Sequence, residues 1–445
     1  MNLRTNNSIE PLTTIVNKNN NLEIGGCDCV ELAKTYGTPL YVIDEETLRK
    51  ACREYKNAFK SYKKTKFLYA SKALCTSAIL KIVSSEGFGF DTVSKGEIHT
   101  ALKSGIDIKT LLFNGNNKTE DELEYAISNG ISRISADNFH ELEILDKIAK
   151  NFNKNVDILL RITPGIECHT HEYIQTGSID SKFGFSLNKI DIAIDLIKTK
   201  YKNINLNGLH AHIGSQIFEL NIFKDEIEIL IKEISRIKQK HSLTLTEINI
   251  GGGMGVKYVD SDKPLDVNEV AQTVISSIDT CCKKYNIEYP TLYIEPGRSI
   301  ISPAGVTLYK AGCQKEIPEI NKKYIALDGG MADNVRVCLY KANYTAKVAN
   351  KPNNKDFEKV TLCGRFCESG DILIENINLP KIETGDTICI FNTGSYNYSM
   401  SSNYNRVCRP AMVLVNSGFS DIIISRETCD DLIRNDIIPD RLKNV

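Results

Sequence analysis

The sequence predicts a (β/α)8 barrel followed by a smaller antiparallel β domain, and three observations carry that reading. Short apolar runs recur eight times, at 67–70, 88–93, 111–113, 133–136, 156–162, 206–213, 247–250 and 292–294. The longer stretches between them space apolar residues near the helical period, as at Ile227, Leu230, Ile234 and Ile237. After Ile300 the rhythm changes to short strand-like runs separated by turn residues. Strands that alternate with helices imply parallel strands joined by crossover helices, and eight such units match a closed barrel. An open doubly wound sheet is the alternative reading of the same alternation.

In chain order, residues 1–21 read as a loose lead-in closed by Asn19, Asn20 and Asn21. Leu22, Glu23 and Ile24 before Gly25 and Gly26 read as a strand and turn, 30–36 as a short helix, and 39–43 as a strand. These elements have no place in the barrel, so 1–45 is expected to pack with the β domain. The barrel is expected over 46–302 and the β domain over 303–445, with strands at 306–311, 324–327, 359–363, 387–390, 411–415 and 421–424.

Composition narrows the class. With 42% hydrophobic and 25% charged residues over 445 positions, the chain is long enough for two or three ordinary globular domains. The net charge of -1 gives no electrostatic reason to expect a nucleic acid or an anionic membrane as partner. The fourteen cysteines are scattered, and a chain of this length needs no disulfide staples, so free thiols and a reducing, cytoplasmic compartment are expected. The polar start lacks a signal-peptide apolar core, and no window approaches a membrane-spanning length.

In a (β/α)8 barrel the chemistry sits at the C-terminal ends of the strands. Strand one runs into Ser71 and Lys72 between apolar neighbours. A desolvated lysine resists protonation, and a neutral amine attacks carbonyls, including that of pyridoxal phosphate (PLP); a lysine that merely snorkels is the alternative. The later strands end at Asp91 to Ser94, at Arg161, at His210 to Ser215, at Gly251, Gly252 and Gly253, and at Glu295, Pro296, Gly297 and Arg298. Three glycines after a strand suit a phosphate cradle or a tight turn, and Gly297-Arg298 on the neighbouring strand adds weight to the phosphate. Glu295 suits a pyridinium nitrogen or a salt bridge. His212 suits a stacked planar ring or a hydrogen-bonded core position. His210 with His212, and His169 with His171, lack a third ligand of suitable spacing, so no metal is expected.

Several segments together carry a family resemblance: YASKA at 69–73, FDTVSKGEI at 90–98, RITPG at 161–165, HTHEYIQTG at 169–177, SKFGF at 181–185, HAHIGSQ at 210–216, GGGMG at 251–255, EPGR at 295–298, CESGD at 367–371 and GSYNYSMSSNYN at 394–405. The chain resembles the fold-type III PLP-dependent decarboxylases and, within them, the diaminopimelate-decarboxylating family. The resemblance implies that Lys72 carries PLP, that His212 stacks on its ring and that Glu295 pairs with the pyridine nitrogen. It also implies that Ser215, Gly251 to Gly253 and Arg298 serve the phosphate, and that Tyr396 contacts the cofactor. Asp91, Arg161, Pro296 and Gly297 are further cofactor candidates at the same strand ends. Cys367 would return a proton to the substrate carbanion, reaching the site from the second subunit of a homodimer; a thiol titrates near enough to neutrality for that work. Among fourteen cysteines its motif neighbours Glu368, Ser369, Gly370 and Asp371 single it out.

The distal end of the substrate distinguishes members of this family. Diaminopimelate ends in an ammonium and a carboxylate, so it needs an acid and a cation. Glu368 suits the ammonium. Arg336 and Tyr340, four apart, suit the carboxylate, with Arg298 and Tyr396 as further substrate candidates; guanidinium grips carboxylate in bidentate fashion. A surface ion pair is the other reading of Arg336. Val337 and Cys338 stand where Pro and Ala usually follow the arginine, and Arg365-Phe366 where a Gly-Pro-like segment is common. The expected reaction is decarboxylation of meso-2,6-diaminopimelate to lysine and CO2. Carboxynorspermidine, ornithine or a carrier-bound amino acid are the alternative substrates, and a non-catalytic PLP-binding protein the distant one.

Overall fold

A computed structural model describes residues 4–165 and 181–443 of the chain. The chain divides into two compact units, one of residues 1–8 with 48–302, the other of 9–47 with 303–445.

The first unit is a closed barrel. Its strands follow the β-domain strand β1 (Leu40–Asp44) and are β2 (Thr65–Ala70), β3 (Gly89–Thr92), β4 (Leu111–Phe113), β5 (Arg133–Ala136), β6 (Val156–Thr163), β7 (Ile204–His210), β8 (Glu247–Asn249) and β9 (Thr291–Ile294). Each pairs in parallel with the next, and β9 returns to β2, where Ile294 lies opposite Phe67. That closure excludes the open doubly wound sheet. Leu68, Leu112, Leu159 and Tyr293 pack as one buried cluster; burial of each such side chain contributes on the order of 2 kcal/mol. Among the crossover helices, α1 (Leu220–His241) buries Ile222, Phe223, Ile227, Leu230, Ile231, Ile234 and Ile237 along one stripe, and it packs on α2 (Val267–Tyr285). Asp266 caps α2 by accepting from Asn268 N–H.

Residues 4–8 correct the expectation that all of 1–45 packs with the β domain. Glu54 accepts from Thr5 N and Oγ1 at 3.1 and 2.7 Å. Asn6 Nδ2 donates to the carbonyls of Gly255 and Leu265 at 3.2 and 2.9 Å. A short polar segment is thus held by buried acceptors of the barrel unit.

The second unit is built on a nine-stranded sheet, beside a small three-stranded one of Ile15–Val16, Leu22–Ile24 and Cys27–Asp28. Its strands after β1 are β10 (Gly305–Ile317), β11 (Lys322–Leu327), β12 (Ala346–Val348), β13 (Phe357–Cys363), β14 (Ile372–Pro380), β15 (Thr387–Phe391), β16 (Ala411–Asn416) and β17 (Phe419–Ile424). The core includes Leu22, Ile24, Leu40, Val42, Val306, Leu308, Phe391 and Val413. The sheet is not wholly antiparallel: β1 pairs with β16, and β11 with β13, in parallel. β14 escaped the sequence reading because its centre, Glu375 to Asn378, is polar and mostly exposed. Among the described residues no helix is long and apolar enough to cross a membrane.

Candidate active site

The strand ends of the barrel converge on Glu295, which is buried. Asn249 Nδ2 donates to its Oε1 at 2.6 Å and Asn114 Nδ2 at 3.3 Å, while His210 Nε2 lies 3.5 Å from Oε2. Burial opposes the charge, but His210, Asn249 and Lys72 outweigh it and hold the carboxyl down to about 2. Asp91, buried beside it and bonded to Asn114 Nδ2 at 2.6 Å, goes the other way. Burial and then the Glu295 charge push it well up, so of the two carboxyls Glu295 is the ionised one. Glu97, which caps Val93 N–H at 2.8 Å, is pushed up to about 7 by burial against the pull of Lys72.

Lys72 occupies a 3-10 turn, Ser71–Ala73, directly after β2. Its neighbours Ser71 and Ala73 are buried, whereas Lys72 itself is exposed, so the apolar flanks do not desolvate it. A tight turn sends consecutive side chains in different directions, which corrects the expectation drawn from sequence neighbours. Its charge nonetheless bears on Asp91, Glu97, His212 and Glu295, and that places the amine with this cluster.

His212 lies past the end of β7, which stops at His210 rather than continuing to Ile213. Gly252 N–H donates to its Nδ1 at 3.3 Å, which sets the proton on Nε2. Burial, then Lys72 and Arg161, drives its titration well down, so the ring is a neutral flat face. His210 bonds Ser135 Oγ through Nδ1 at 2.7 Å and is likewise pushed down by burial. Arg161 is buried 4.2 Å over the Phe183 ring, with Asp137 at 4.0 Å. Pro296 and Gly297 fasten β9 against β2. Ala70 N–H donates to Pro296 O at 3.1 Å, and a Cβ on Gly297 would stand 2.9 Å from that of Ala70.

The triple glycine is dictated first by packing. A Cβ at Gly251 would lie 2.5 Å from His212 Nδ1, and one at Gly252 2.2 Å from Glu295 O. Gly251 and Gly253 also have φ of 60° and 114°. The turn is therefore both tight and close to the site. Beside it Arg298 donates through Nη2 and Nε to Ser215 Oγ at 2.9 and 3.2 Å, and through Nη1 to Tyr258 OH at 2.9 Å.

This set suits PLP. An ionised carboxylate deep in a barrel suits a protonated pyridine nitrogen, and Glu295 is held ionised there by His210 and Asn249. A buried arginine with hydroxyls beside a glycine turn suits a phosphate. Asn114, Asn249, Glu97 and Tyr258 were not foreseen. Asn114 and Asn249 stand at strand ends, and that position is the one signal in the sequence that pointed to them. Among the described residues no group of three or more His, Cys, Asp or Glu could hold a metal. The motif at 169–177, with His169 and His171, lies outside the described residues.

Within the β domain a second set assembles. Arg336 is buried, so it is no surface ion pair, and its Nη1 donates to Tyr344 OH at 2.5 Å. Tyr344 OH in turn donates to Asn397 Oδ1 at 3.3 Å. Asn397 follows Tyr396, which has a left-handed φ of 63° and is half-buried. Tyr340 lies on the same one-turn helix as Arg336, Arg336–Tyr340, and is half-buried. Cys367 and Glu368 are exposed. Buried Asp371 accepts from Met331 N at 2.6 Å and Phe366 N at 2.8 Å, and so joins the turn before Arg336 to the loop bearing Cys367. Tyr344 and Asp371 are positioning residues that sequence reasoning did not assign.

Among the buried acids outside both sets, Glu226 is singled out by its surroundings. Glu226 on α1 is 0% exposed, and neither carboxyl oxygen has a hydrogen-bond partner. Burial and then the Glu295 charge push its titration well up. The folded state therefore holds this proton after the unfolded chain has released it, so stability falls as pH rises above the ordinary carboxylate value near 4.3. Glu226→Met is expected to raise stability at pH 7 by about 1–3 kcal/mol, the cost of an unpartnered buried polar group. Glu226→Gln is expected to remove the pH dependence with little gain. Urea melts from pH 4 to 8 check both; a destabilised Met variant contradicts this account.

Comparison with known proteins accords with this geometry. Residues 45–302 match the family model described as "Pyridoxal-dependent decarboxylase, pyridoxal binding domain". The chain is 46% identical over 447 residues to the diaminopimelate decarboxylase of Synechocystis sp., covering 98% of this chain and 94% of that protein. It is 41% identical over 428 residues to that of Bacillus subtilis, covering 96% and 97%. The crystal structure of diaminopimelate decarboxylase from M. jannaschii in complex with L-lysine superposes with a TM-score of 0.91 at 32% identity, covering 98% of this chain and all of that one. The chain belongs to the diaminopimelate decarboxylase family of pyridoxal-dependent decarboxylases.

Proposed function

We propose that the chain converts meso-2,6-diaminopimelate to L-lysine and CO2 in the cytoplasm, as a homodimer with shared active sites. PLP bound at the barrel mouth supplies an electron sink for the pair left on Cα when the carboxylate departs. Lys72 is the covalent anchor. Glu295, kept ionised by His210 and Asn249, holds the pyridine proton in place. His212 offers its neutral ring to the cofactor face. Arg298 with Ser215, and the N–H groups of Gly251 to Gly253, take the phosphate. Arg161, whose charge bears on His212, would add positive charge near the cofactor, and Pro296 and Gly297 fix the strand end that carries Glu295.

The substrate's far end is the task of the β domain. Arg336, oriented by Tyr344, binds the distal carboxylate together with Tyr340, with Arg298 and Tyr396 close to the bound amino acid. Glu368 binds the distal ammonium. Cys367, supplied with Glu368 by a second copy of this chain, delivers its thiol proton to Cα after CO2 leaves. A single acid held on one side of Cα makes that proton transfer stereospecific.

The observation that carries the choice of substrate is the burial of Arg336 with its guanidinium fixed by Tyr344. A planar guanidinium fixed in this way suits bidentate contact with a carboxylate, and ornithine and lysine have none at the far end. Purified protein with PLP is expected to release labelled CO2 from meso-diaminopimelate at least about a hundredfold faster than from ornithine, the scale of a missing charged contact. Faster release from ornithine or carboxynorspermidine would replace this assignment.

A further inference from the structure

The β domain carries a second pair of sulfurs that the decarboxylation does not use. β16 and β17 form an antiparallel hairpin in which Met412 lies opposite Ile424. Continued outward, that register sets Arg409 opposite Glu427, and Glu427 N–H indeed donates to Arg409 O at 3.2 Å. One residue further it sets Cys408 opposite Thr428, where the chain turns into the one-turn helix Cys429–Ile433. Cys429 thus follows the residue that faces Cys408 across the hairpin, and burial, then the Cys429 charge, push the Cys408 thiol up. Cys429 is exposed, Cys408 is half-buried, and neither is in a disulfide.

The same two segments are tied at further points. Glu427 Oε2 accepts from Arg409 N at 2.8 Å and from Asn403 Nδ2 at 2.6 Å. Arg406 donates to Leu432 O at 2.6 Å and to Asp436 at 2.8 Å. Between these ties stand Tyr404 and Asn405, which grip the Cys367 backbone. Cys367 N–H donates to Asn405 Oδ1 at 3.0 Å, and Tyr404 OH donates to Cys367 O at 3.4 Å. Asn405 and Arg406 have φ of 51° and 56°, a conformation that survives only where the surroundings hold it.

We propose that Cys408 and Cys429 form a redox-active dithiol, closed to an intrachain disulfide by a small-molecule disulfide, and that closure staples the 403–409 loop that positions Cys367. The thiolate of the exposed Cys429 attacks one sulfur of the oxidant, forming a mixed disulfide and releasing one thiolate. Cys408, deprotonated, then attacks the Cys429 sulfur, forms the Cys408–Cys429 bond and expels the second thiolate. Two electrons pass to the oxidant, and the two thiol protons end on the two small thiols released. The disulfide closes residues 408–429 into a ring, which limits how far the loop can open. The consequence for Cys367 rests on its proposed role as proton donor; formation of the disulfide does not.

The test uses the full-length holoenzyme incubated with oxidised glutathione, alkylated, and digested without reduction. The expected result is one cross-linked peptide joining 408 to 429, two hydrogens lighter than the sum of its parts and released by dithiothreitol. Cys429→Ser and, separately, Cys408→Ser are expected to lack it. Amide exchange at Asn405 and Cys367 is expected to slow about tenfold on oxidation of the wild type and to stay unchanged in either variant. Separate glutathione adducts on the two cysteines, or a cross-link seen only after denaturation, overturns the dithiol. A cross-link without slower exchange overturns the staple. A cross-link with slower exchange, in a protein that releases no CO2 from diaminopimelate, supports the dithiol and counts against the proposed reaction instead.

Discussion

Replacing Lys72 with alanine is expected to lower turnover of meso-diaminopimelate at least about a thousandfold, the scale seen when a covalent catalyst is removed, and to abolish the visible absorbance of lysine-bound cofactor. Lys72 is exposed in its 3-10 turn, so little packing is lost and the variant is expected to fold. The effect is chemical. The amine is the proposed nucleophile of this site, and it is also one of the positive groups that keep Glu295 ionised against burial. Its loss removes the anchor and weakens the carboxylate that matches a pyridinium. Absorbance spectra and CO2 release from the purified variant check this; retention of both would move the anchor to another lysine.

Arg336→Ala is expected to cut kcat/KM for diaminopimelate by about 30- to 3,000-fold, the range for removing one member of a buried charged pair. The side chain is buried against Tyr344, whose hydroxyl continues to Asn397 beside Tyr396. The guanidinium is thus fixed before any ligand arrives, so little ordering cost falls on binding. Arg336→Lys keeps the charge but loses the planar fork, and is expected to recover only part of the loss. Cofactor absorbance separates this from misfolding, because Arg336 has no part in holding PLP. Unchanged kinetics with intact absorbance would leave the distal carboxylate without this partner.

The barrel was readable because its strands are continuous apolar runs bounded by polar caps. Strands β4 and β5 match the expected runs residue for residue; in β4 all three positions are apolar and buried, which leaves no polar position to blur its ends. The glycine turn and the EPGR strand end were readable for the same reason: a motif compresses several steric demands into adjacent letters. Asn114, Asn249, Tyr258 and Tyr344 were not. An amide or a phenol does its work only when distant strand ends meet, as Asn114 does with Asp91 and Glu295. Lys72 shows the opposite failure. Its apolar neighbours in sequence implied burial, but the turn buries Ser71 and Ala73 and exposes the lysine. The burial of Arg336 was equally hidden, because a five-residue helix shows no periodicity to read. β14 was lost because its exposed polar centre reads as a turn.

The claim that one amine at the barrel mouth holds PLP is tested most directly by reducing the holoenzyme with borohydride, digesting it and locating the cofactor by mass. The phosphopyridoxyl group is predicted on Lys72, in the peptide that continues from the strand Thr65–Ala70. Its recovery on a different lysine, or on none, would contradict the account.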